Sequence, residues 1–423
     1  MNKTTMRQIF KKIWISILCF VFLISGCAKV DQSTSNPLNQ EKSSAVVTDE
    51  DMPSEGNKEK YEADYEYLWD ILENKYPYLN YIDENIVKTQ DLHDRYGMEL
   101  ENVNDDAGFM DLIHRMLGEM EYFAHLDVIT PNVYKNLYSI LLLDENVYSM
   151  MYGDADKDGH ILNNPKLSEI YDKPSHYEEY QEEENSNALN EIDIRYYSDC
   201  KALYMRISSF EHALVERDQN IVYDTITQYP DTEHIIFDIA ANHGGDNTYW
   251  MDNIVAPFGG HYDFRYRIFY KSSEFSDMPL LATSELEDRP EWVDTLGLNL
   301  YCENDWAIPE EKDDKKLIKG NIKRWILVGE NTYSAAERFS CFCKYSGWAT
   351  LVGTRTGGDG LGSVVFDMLP DSGIMIQFNC AVGENPDGTI NAVVGTSPDV
   401  NCNEKGHIVS PLERCLELIR EGQ

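Results

Sequence analysis

The apolar positions of this chain follow two different periods. Tyr61 to Leu72 and Asp106 to Met120 place apolar residues at helical spacing. Asn104-Asp105-Asp106 supplies capping side chains before the second of these helices, and Tyr76-Pro77-Tyr78-Leu79 interrupts the pattern between them. From residue 202 the pattern is that of strands. Ala202-Leu203-Tyr204-Met205-Arg206-Ile207 alternates, while His234 to Ile239, Arg324 to Val328 and Ala349 to Val352 are short apolar runs expected of buried strands. Val364-Val365-Phe366 and Gly373 to Phe378 read as a hairpin or edge pair. Helices are expected at Ile221 to Thr227, near Asn247, at Ser334 to Tyr345 and at Leu412 to Ile419. Alternating strands and helices with short turns predict an α/β core over 200–423 behind an N-terminal helical subdomain, 61–130. The segment 131–199 is mixed. Leu137 to Leu143 is mostly apolar, but 165–195 is polar and carries Glu182-Glu183-Glu184, so a loop-rich lobe is expected.

The first residues follow neither period. Lys3, Arg7, Lys11 and Lys12 precede an apolar run from Ile13 to Ile24, too short for a comfortable membrane span, which ends in Ser25-Gly26-Cys27. This resembles a bacterial lipoprotein signal, residues 1–26, and implies lipid on Cys27 and a location on the outer side of the cell membrane. An N-terminal anchor helix is the other reading. Residues 27–60 are rich in Ser, Asn, Glu, Lys and Asp and read as a disordered tether. The whole chain carries a formal charge of −38, and removing the four basic residues of the signal makes it more negative still. Such a surface repels nucleic acid and anionic headgroups, so neither is an expected partner beyond the lipid tether. Of nine cysteines, Cys19 lies in the signal and seven follow Cys27. An odd number argues against a complete disulfide framework, and Cys341 and Cys343 have poor zinc spacing, so buried free thiols are expected.

Chemistry is suggested by turns that follow strands. Asn331-Thr332-Tyr333-Ser334-Ala335-Ala336-Glu337 joins an apolar strand to a helix, so Ser334 can expose its hydroxyl while neighbouring N–H groups point outward. The same residues also fit a helix cap, with Thr332 or Ser334 as cap and Glu337 as its box partner. Gly244 and Gly245 end another strand and allow close backbone approach, so their N–H groups and that of Ala335 form a candidate oxyanion hole. His243, beside them, is a candidate base or an exposed loop residue. The run Gly357-Gly358-Asp359-Gly360-Leu361-Gly362 lacks the features of a phosphate loop. Asp154-Ala155-Asp156-Lys157-Asp158-Gly159 resembles half of a calcium loop, but the twelfth position falls on Pro165, and a solvated turn is the default.

Several segments together resemble the S41 serine peptidases, in order along the chain. They are Phe123-Ala124-His125, Tyr204 to Phe210, Phe237 to Gly245, Asn331 to Glu337 with Val352 to Gly357, Leu369 to Gly373, and Pro398-Asp399-Val400. The resemblance implies a core like that of the crotonase and Clp peptidase fold, with Ser334 as nucleophile. The lysine base of the processing peptidases falls on Asp359, so a Ser-Lys dyad is absent, and Asp359 is kept as a candidate substrate-binding or supporting residue. The histidine of the tricorn-like branch falls on His125, which is therefore the implied general base. The serine before that histidine is Ala124 here, and the glutamate expected before the late Pro-Asp pair is Ala392. Asp127, Glu384 and Asp387 are candidates for the carboxylate that orients His125, and Glu337 is expected to cap its helix or meet the lobe. The PDZ module often inserted in the family is not seen between Thr130 and Cys200.

These readings lead to an exported serine peptidase that cleaves peptides or proteins through an acyl-enzyme on Ser334, with no metal or organic cofactor. The alternatives are an esterase and a peptide- or ligand-binding protein on the same scaffold. The enzyme reading expects His125 and Ser334 within about 4 Å with a carboxylate or amide behind His125, and the binding reading expects them apart or the crevice packed closed.

Overall fold

The computed structural model describes residues 55–131, 133–134, 165–171, 192–276, 278–308, 317–404 and 407–422. Cys27, the signal segment, the Asp154–Asp158 loop and most of the expected lobe lie outside them.

Four helices open the described chain: α1 (Glu55–Asn74), α2 (Leu79–Asn85), α3 (Thr89–Glu99) and α4 (Asp106–Glu119). Helix α1 begins inside the stretch read as tether. Asp105 caps α4 by accepting from the Gly108 N–H, as the run of three cap formers suggests. Phe109, Leu112, Ile113, Met116 and Leu117 give α4 one buried face. Pro165–Tyr171 is also helical, although its polar surroundings read as loop. Proline at the first helical position loses no hydrogen bond there.

The main sheet has six strands: β2 (Asp193–Tyr197), β3 (Ala202–Arg206), β4 (His234–Asp238), β7 (Lys323–Val328), β8 (Thr350–Gly353) and β12 (Val400–Asn401). Their order is β12-β8-β7-β4-β3-β2; all neighbours are parallel except the edge pair β2 and β3. Both faces are covered, which explains the unbroken apolar runs. Ile235, Phe237, Ile326 and Val328 face the larger core, which includes helix α6 (Ala335–Ser346). Ile236, Trp325, Leu327 and Val352 face a smaller core closed by Leu416, Leu418 and Ile419 of helix α7 (Pro411–Arg420). Helix α5 (Ile221–Gln228) makes the crossover between β3 and β4. In place of an α-helix near Asn247, Tyr249–Val255 forms a π-helix.

Two smaller sheets flank the main one. Strand β5 (Tyr262–Tyr270) pairs antiparallel along its whole length with β6 (Leu300–Ile308), and β11 (Ala381–Glu384) joins on the other side of β5. Strands β9 (Val364–Met368) and β10 (Met375–Asn379) form the expected hairpin, and the two-residue strand β1 (Asp127–Val128) pairs with β10. That last pairing matters for the site. Asp127 is opposite Gln377, so continuing the register by two residues brings His125 level with Asn379. All seven described cysteines are free thiols, and all but Cys200 are buried.

Candidate active site

Parallel strands β4, β7 and β8 end side by side, and the turns that leave them meet in one place. This is where ligands bind in open α/β sheets. The turn after β4 carries Asn242 to Gly245, the turn after β7 carries Ser334, and the turn after β8 carries Asp359. Backbone hydrogen bonds stitch the turns together. Tyr333 N–H donates to Asn242 O at 3.2 Å, Ser334 N–H to Gly358 O at 3.2 Å and Gly357 N–H to Thr332 O at 2.9 Å. Gly244 cannot be replaced without collision, because a Cβ there would lie 2.8 Å from Ala335 N and from Ser334 Cβ.

His125 arrives from the opposite direction, on the turn between α4 and β1. Glu121, Tyr122, Ala124 and His125 in that turn all have positive φ. His125 Nε2 lies 3.2 Å from Ser334 Oγ, and His125 Nδ1 lies 2.5 Å from Asp359 Oδ2. A carboxylate can only accept, so Nδ1 carries the proton and Nε2 is left to accept from the serine hydroxyl. The three side chains are therefore in the order that a nucleophile, its base and an orienting carboxylate would require. Residue exposures of 1 % for Ser334, 3 % for His125 and 2 % for Asp359 keep these hydrogen bonds away from bulk water, where they are stronger. All three residues have φ near +60°: 57° at Ser334, 60° at His125 and 59° at Asp359. Such conformations cost about 1–3 kcal/mol each and persist where the surroundings over-determine them.

Asp359 is held from all sides. Its Oδ2 also accepts from Tyr333 OH at 2.7 Å, and its Oδ1 accepts from Asn379 Nδ2. The next residue, Gly360, donates its N–H to Asn391 Oδ1 at 2.7 Å and accepts from Arg338 Nε. The carboxylate that faces His125 is thus the residue at the position where the processing peptidases carry lysine, and not one of the three sought from sequence. Asp127 points away to His114 Nδ1 at 3.0 Å, Glu384 pairs with Arg267, and Asp387 bonds Thr389 and Tyr345. The signal for Asp359 in the sequence was its glycine neighbours, which allow a loop to fold back onto the nucleophile turn.

The capping reading of the nucleophile turn does not hold. Ser334 occupies the cap position of α6 without a side-chain cap bond, and its ψ of −120° is not that of an N-cap. Thr332 Oγ1 binds Gly329 N–H and Ile239 O, both at 3.0 Å. Glu337 does not cap the helix, and its hydrogen bonds among the described residues stay within the α/β core. Its Oε1 accepts from Asn391 Nδ2 and Thr396 Oγ1, each at 2.6 Å, while Oε2 is buried without a hydrogen-bond partner. Burial pushes the Glu337 carboxyl up to about 7 against the pull of its hydrogen bonds.

The candidate oxyanion donors divide. Gly244 N–H already donates to Asn242 Oδ1 at 2.8 Å, so this residue is removed from the set. The N–H groups of Gly245 and Ala335 have no protein acceptor among the described residues. His243 is half-buried, makes no hydrogen bond among the described residues and has its imidazole pKa lowered by burial, while His125 occupies the position beside Ser334. Among the described residues no three His, Cys, Asp or Glu side chains gather as a metal site, and no helix is long and apolar enough to cross a membrane.

Residues 201–402 match the family model of Peptidase family S41, a span that contains Gly245, Ser334 and Asp359 but not His125. No curated protein matches the chain significantly. Among solved structures, a candidate peptidase from Parabacteroides merdae superposes with a TM-score of 0.50 at 17 % identity, covering 85 % of this chain and 96 % of its own. Mature CPAF, solved with lactacystin, superposes with a TM-score of 0.50 at 12 % identity, covering 86 % of this chain and 98 % of its own. At such identities these likenesses concern the fold, which is the mixed helix-and-sheet fold of S41 peptidase structures.

Proposed function

We propose that this protein is a serine peptidase whose catalytic triad is Ser334, His125 and Asp359. The observation that carries the reading is the continuous contact from Ser334 Oγ through the imidazole to the Asp359 carboxylate, 3.2 Å and 2.5 Å, inside a buried site. The match of residues 201–402 to Peptidase family S41 supports hydrolysis of a peptide bond as the reaction.

Ser334 Oγ attacks the carbonyl carbon as its proton passes to His125 Nε2. Asp359 holds the imidazole in the acting tautomer and stabilises the imidazolium as it forms. The carbonyl oxygen becomes an oxyanion and is received by the N–H groups of Gly245 and Ala335. Collapse breaks the C–N bond, and the leaving amine takes the proton from His125. Water, deprotonated by the same imidazole, then releases the acid and restores Ser334. The binding-scaffold alternative expected the serine and histidine apart or the crevice packed closed; their contact, with a carboxylate behind His125, favours the enzyme.

A fluorophosphonate probe should label the wild-type protein and fail to label Ser334→Ala, with His125→Ala slowed by several orders of magnitude. A folded wild-type protein that takes no label would end the hydrolase reading. Rates on matched peptide and ester substrates decide between peptidase and esterase. We also propose that the chain is tethered outside the cytoplasmic membrane through lipid on Cys27. Incorporation of labelled palmitate that disappears in Cys27→Ala tests this, and incorporation that persists in the variant refutes it.

A further inference from the structure

One residue touches every member of the proposed triad. Tyr333 precedes Ser334 in the chain, donates its hydroxyl to Asp359 Oδ2 at 2.7 Å, and places the same oxygen 3.4 Å from His125 Nδ1. Its ring lies against the imidazole, with centroids 5.0 Å apart and planes 32° apart. Its backbone is fixed as well. The N–H donates to Asn242 O, and the carbonyl accepts from Ala336 N–H at 3.1 Å. Oδ2 of Asp359 is therefore shared by two donors, the imidazole N–H and the phenol. The phenol limits where the carboxylate can go, and its oxygen lone pair and π-face both lie beside the imidazole, where positive charge develops during reaction.

We infer that Tyr333 is a positioning residue for this site: through its hydroxyl it locks Asp359 and His125 in line with Ser334. The inference rests on the serine-hydrolase reading for its kinetic consequence, but not for its structural one. Tyr333→Phe keeps the ring and its stacking and removes only the hydroxyl. Losing a hydrogen bond to a charged group in a buried site should lower the limiting rate of fluorophosphonate labelling by roughly ten- to a hundredfold. Half-saturation by the probe should change by less than about twofold, since the hydroxyl acts through Asp359 and not on the bound probe.

The second readout needs no probe. The Nδ1 proton shared by His125 and Asp359 should give a proton resonance far downfield of the amides, assigned by its loss in His125→Ala. Removing the competing phenol should move that resonance in Tyr333→Phe. A moved resonance together with a slower limiting rate supports the inference. An unmoved resonance overturns it, whatever the rate does. Should Tyr333→Phe fail to fold, Tyr333→Gln, which replaces the phenol with a weaker amide donor, is read by the same resonance: a moved resonance supports the inference and an unmoved one overturns it. A wild-type protein that did not label would overturn the hydrolase reading, while the resonance would still decide the role of Tyr333.

Discussion

Two histidines in one short stretch of this chain each meet an aspartate, and only one of them faces a serine hydroxyl. His114 Nδ1 meets Asp127 at 3.0 Å, and its Nε2 meets Tyr122 OH, also at 3.0 Å. His125 Nδ1 meets Asp359 at 2.5 Å, and its Nε2 meets Ser334 Oγ. Both imidazoles are thus set in one tautomer by a carboxylate. They differ in the partner of Nε2 and in burial. The His114 side chain is 26 % exposed and that of His125 2 %. A tyrosine hydroxyl from the turn after α4 closes the first pair as a structural brace between α4 and β1. The second ends on a serine held at positive φ next to the Ala335 N–H, which has no protein acceptor among the described residues. A histidine with a carboxylate behind it is therefore not in itself a sign of catalysis. The group in front of Nε2 decides.

The sharpest way to break this comparison is to remove each carboxylate in turn. Asp359→Asn keeps the size of the side chain but favours the wrong imidazole tautomer, and labelling of Ser334 should slow by roughly 10³- to 10⁴-fold. Asp127→Asn should leave labelling within about threefold of wild type, since its histidine faces no reacting atom.

A third buried carboxylate sharpens the contrast. Glu337 has neither imidazole nor cation at its unpartnered oxygen, and burial holds its carboxyl near 7, above the ordinary 4.5. The folded state therefore binds this proton more tightly than the unfolded chain does. Its stabilising effect is complete below about pH 4.5 and is lost as pH rises through about 7. Glu337→Gln removes that loss, so at pH 8 the variant should be more stable than wild type by up to about 3 kcal/mol, and near equal at pH 4.5. Urea unfolding at the two pH values measures this. A wild type that gains on the variant as pH rises would contradict the assignment.

The smallest effect concerns the brace. Hydrogen bonding to Asp127 raises the His114 imidazole above its ordinary value, against the opposing pull of burial. A raised histidine stabilises the fold fully below about pH 6.5, and the gain fades as pH rises through the folded value. His114→Phe should flatten that pH dependence. The difference should be only a few tenths of a kcal/mol to about 1 kcal/mol, because the pair is partly exposed to water. Melting temperatures between pH 5.5 and 8 would show it, and a variant that kept the wild-type slope would refute it.

Much of this fold is written locally. The runs at His234–Asp238 and Lys323–Val328 are apolar because both sheet faces are covered, and α6 begins where a strand, a turn and an apolar period meet. Ser334 could be offered as a candidate from the turn around it, whereas the roles of Ser334 and His125 came from the resemblance to the S41 peptidases. Asp359 could not be given its role, because no local feature says that a loop after β8 folds back to meet a histidine from before β1. That meeting depends on the pairing of β1 with β10, which also delivers Asn379, and pairings between distant strands leave no local trace. The engaged N–H of Gly244, by contrast, has a local origin, since its acceptor is the side chain of Asn242 two residues earlier. The β5 strand was also legible and unread. Tyr262-Asp263-Phe264-Arg265-Tyr266-Arg267 alternates apolar and charged residues as a half-buried strand does.

The central claim is that Asp359, and not Asp127, completes the site of Ser334 and His125. The most direct measurement is the rate of fluorophosphonate labelling for wild type, Asp359→Asn and Asp127→Asn side by side, each shown to be folded by its melting temperature. The account predicts a loss of roughly 10³- to 10⁴-fold for Asp359→Asn and a rate within about threefold of wild type for Asp127→Asn. Labelling of Asp359→Asn at the wild-type rate, or an equal loss in both variants, would contradict it.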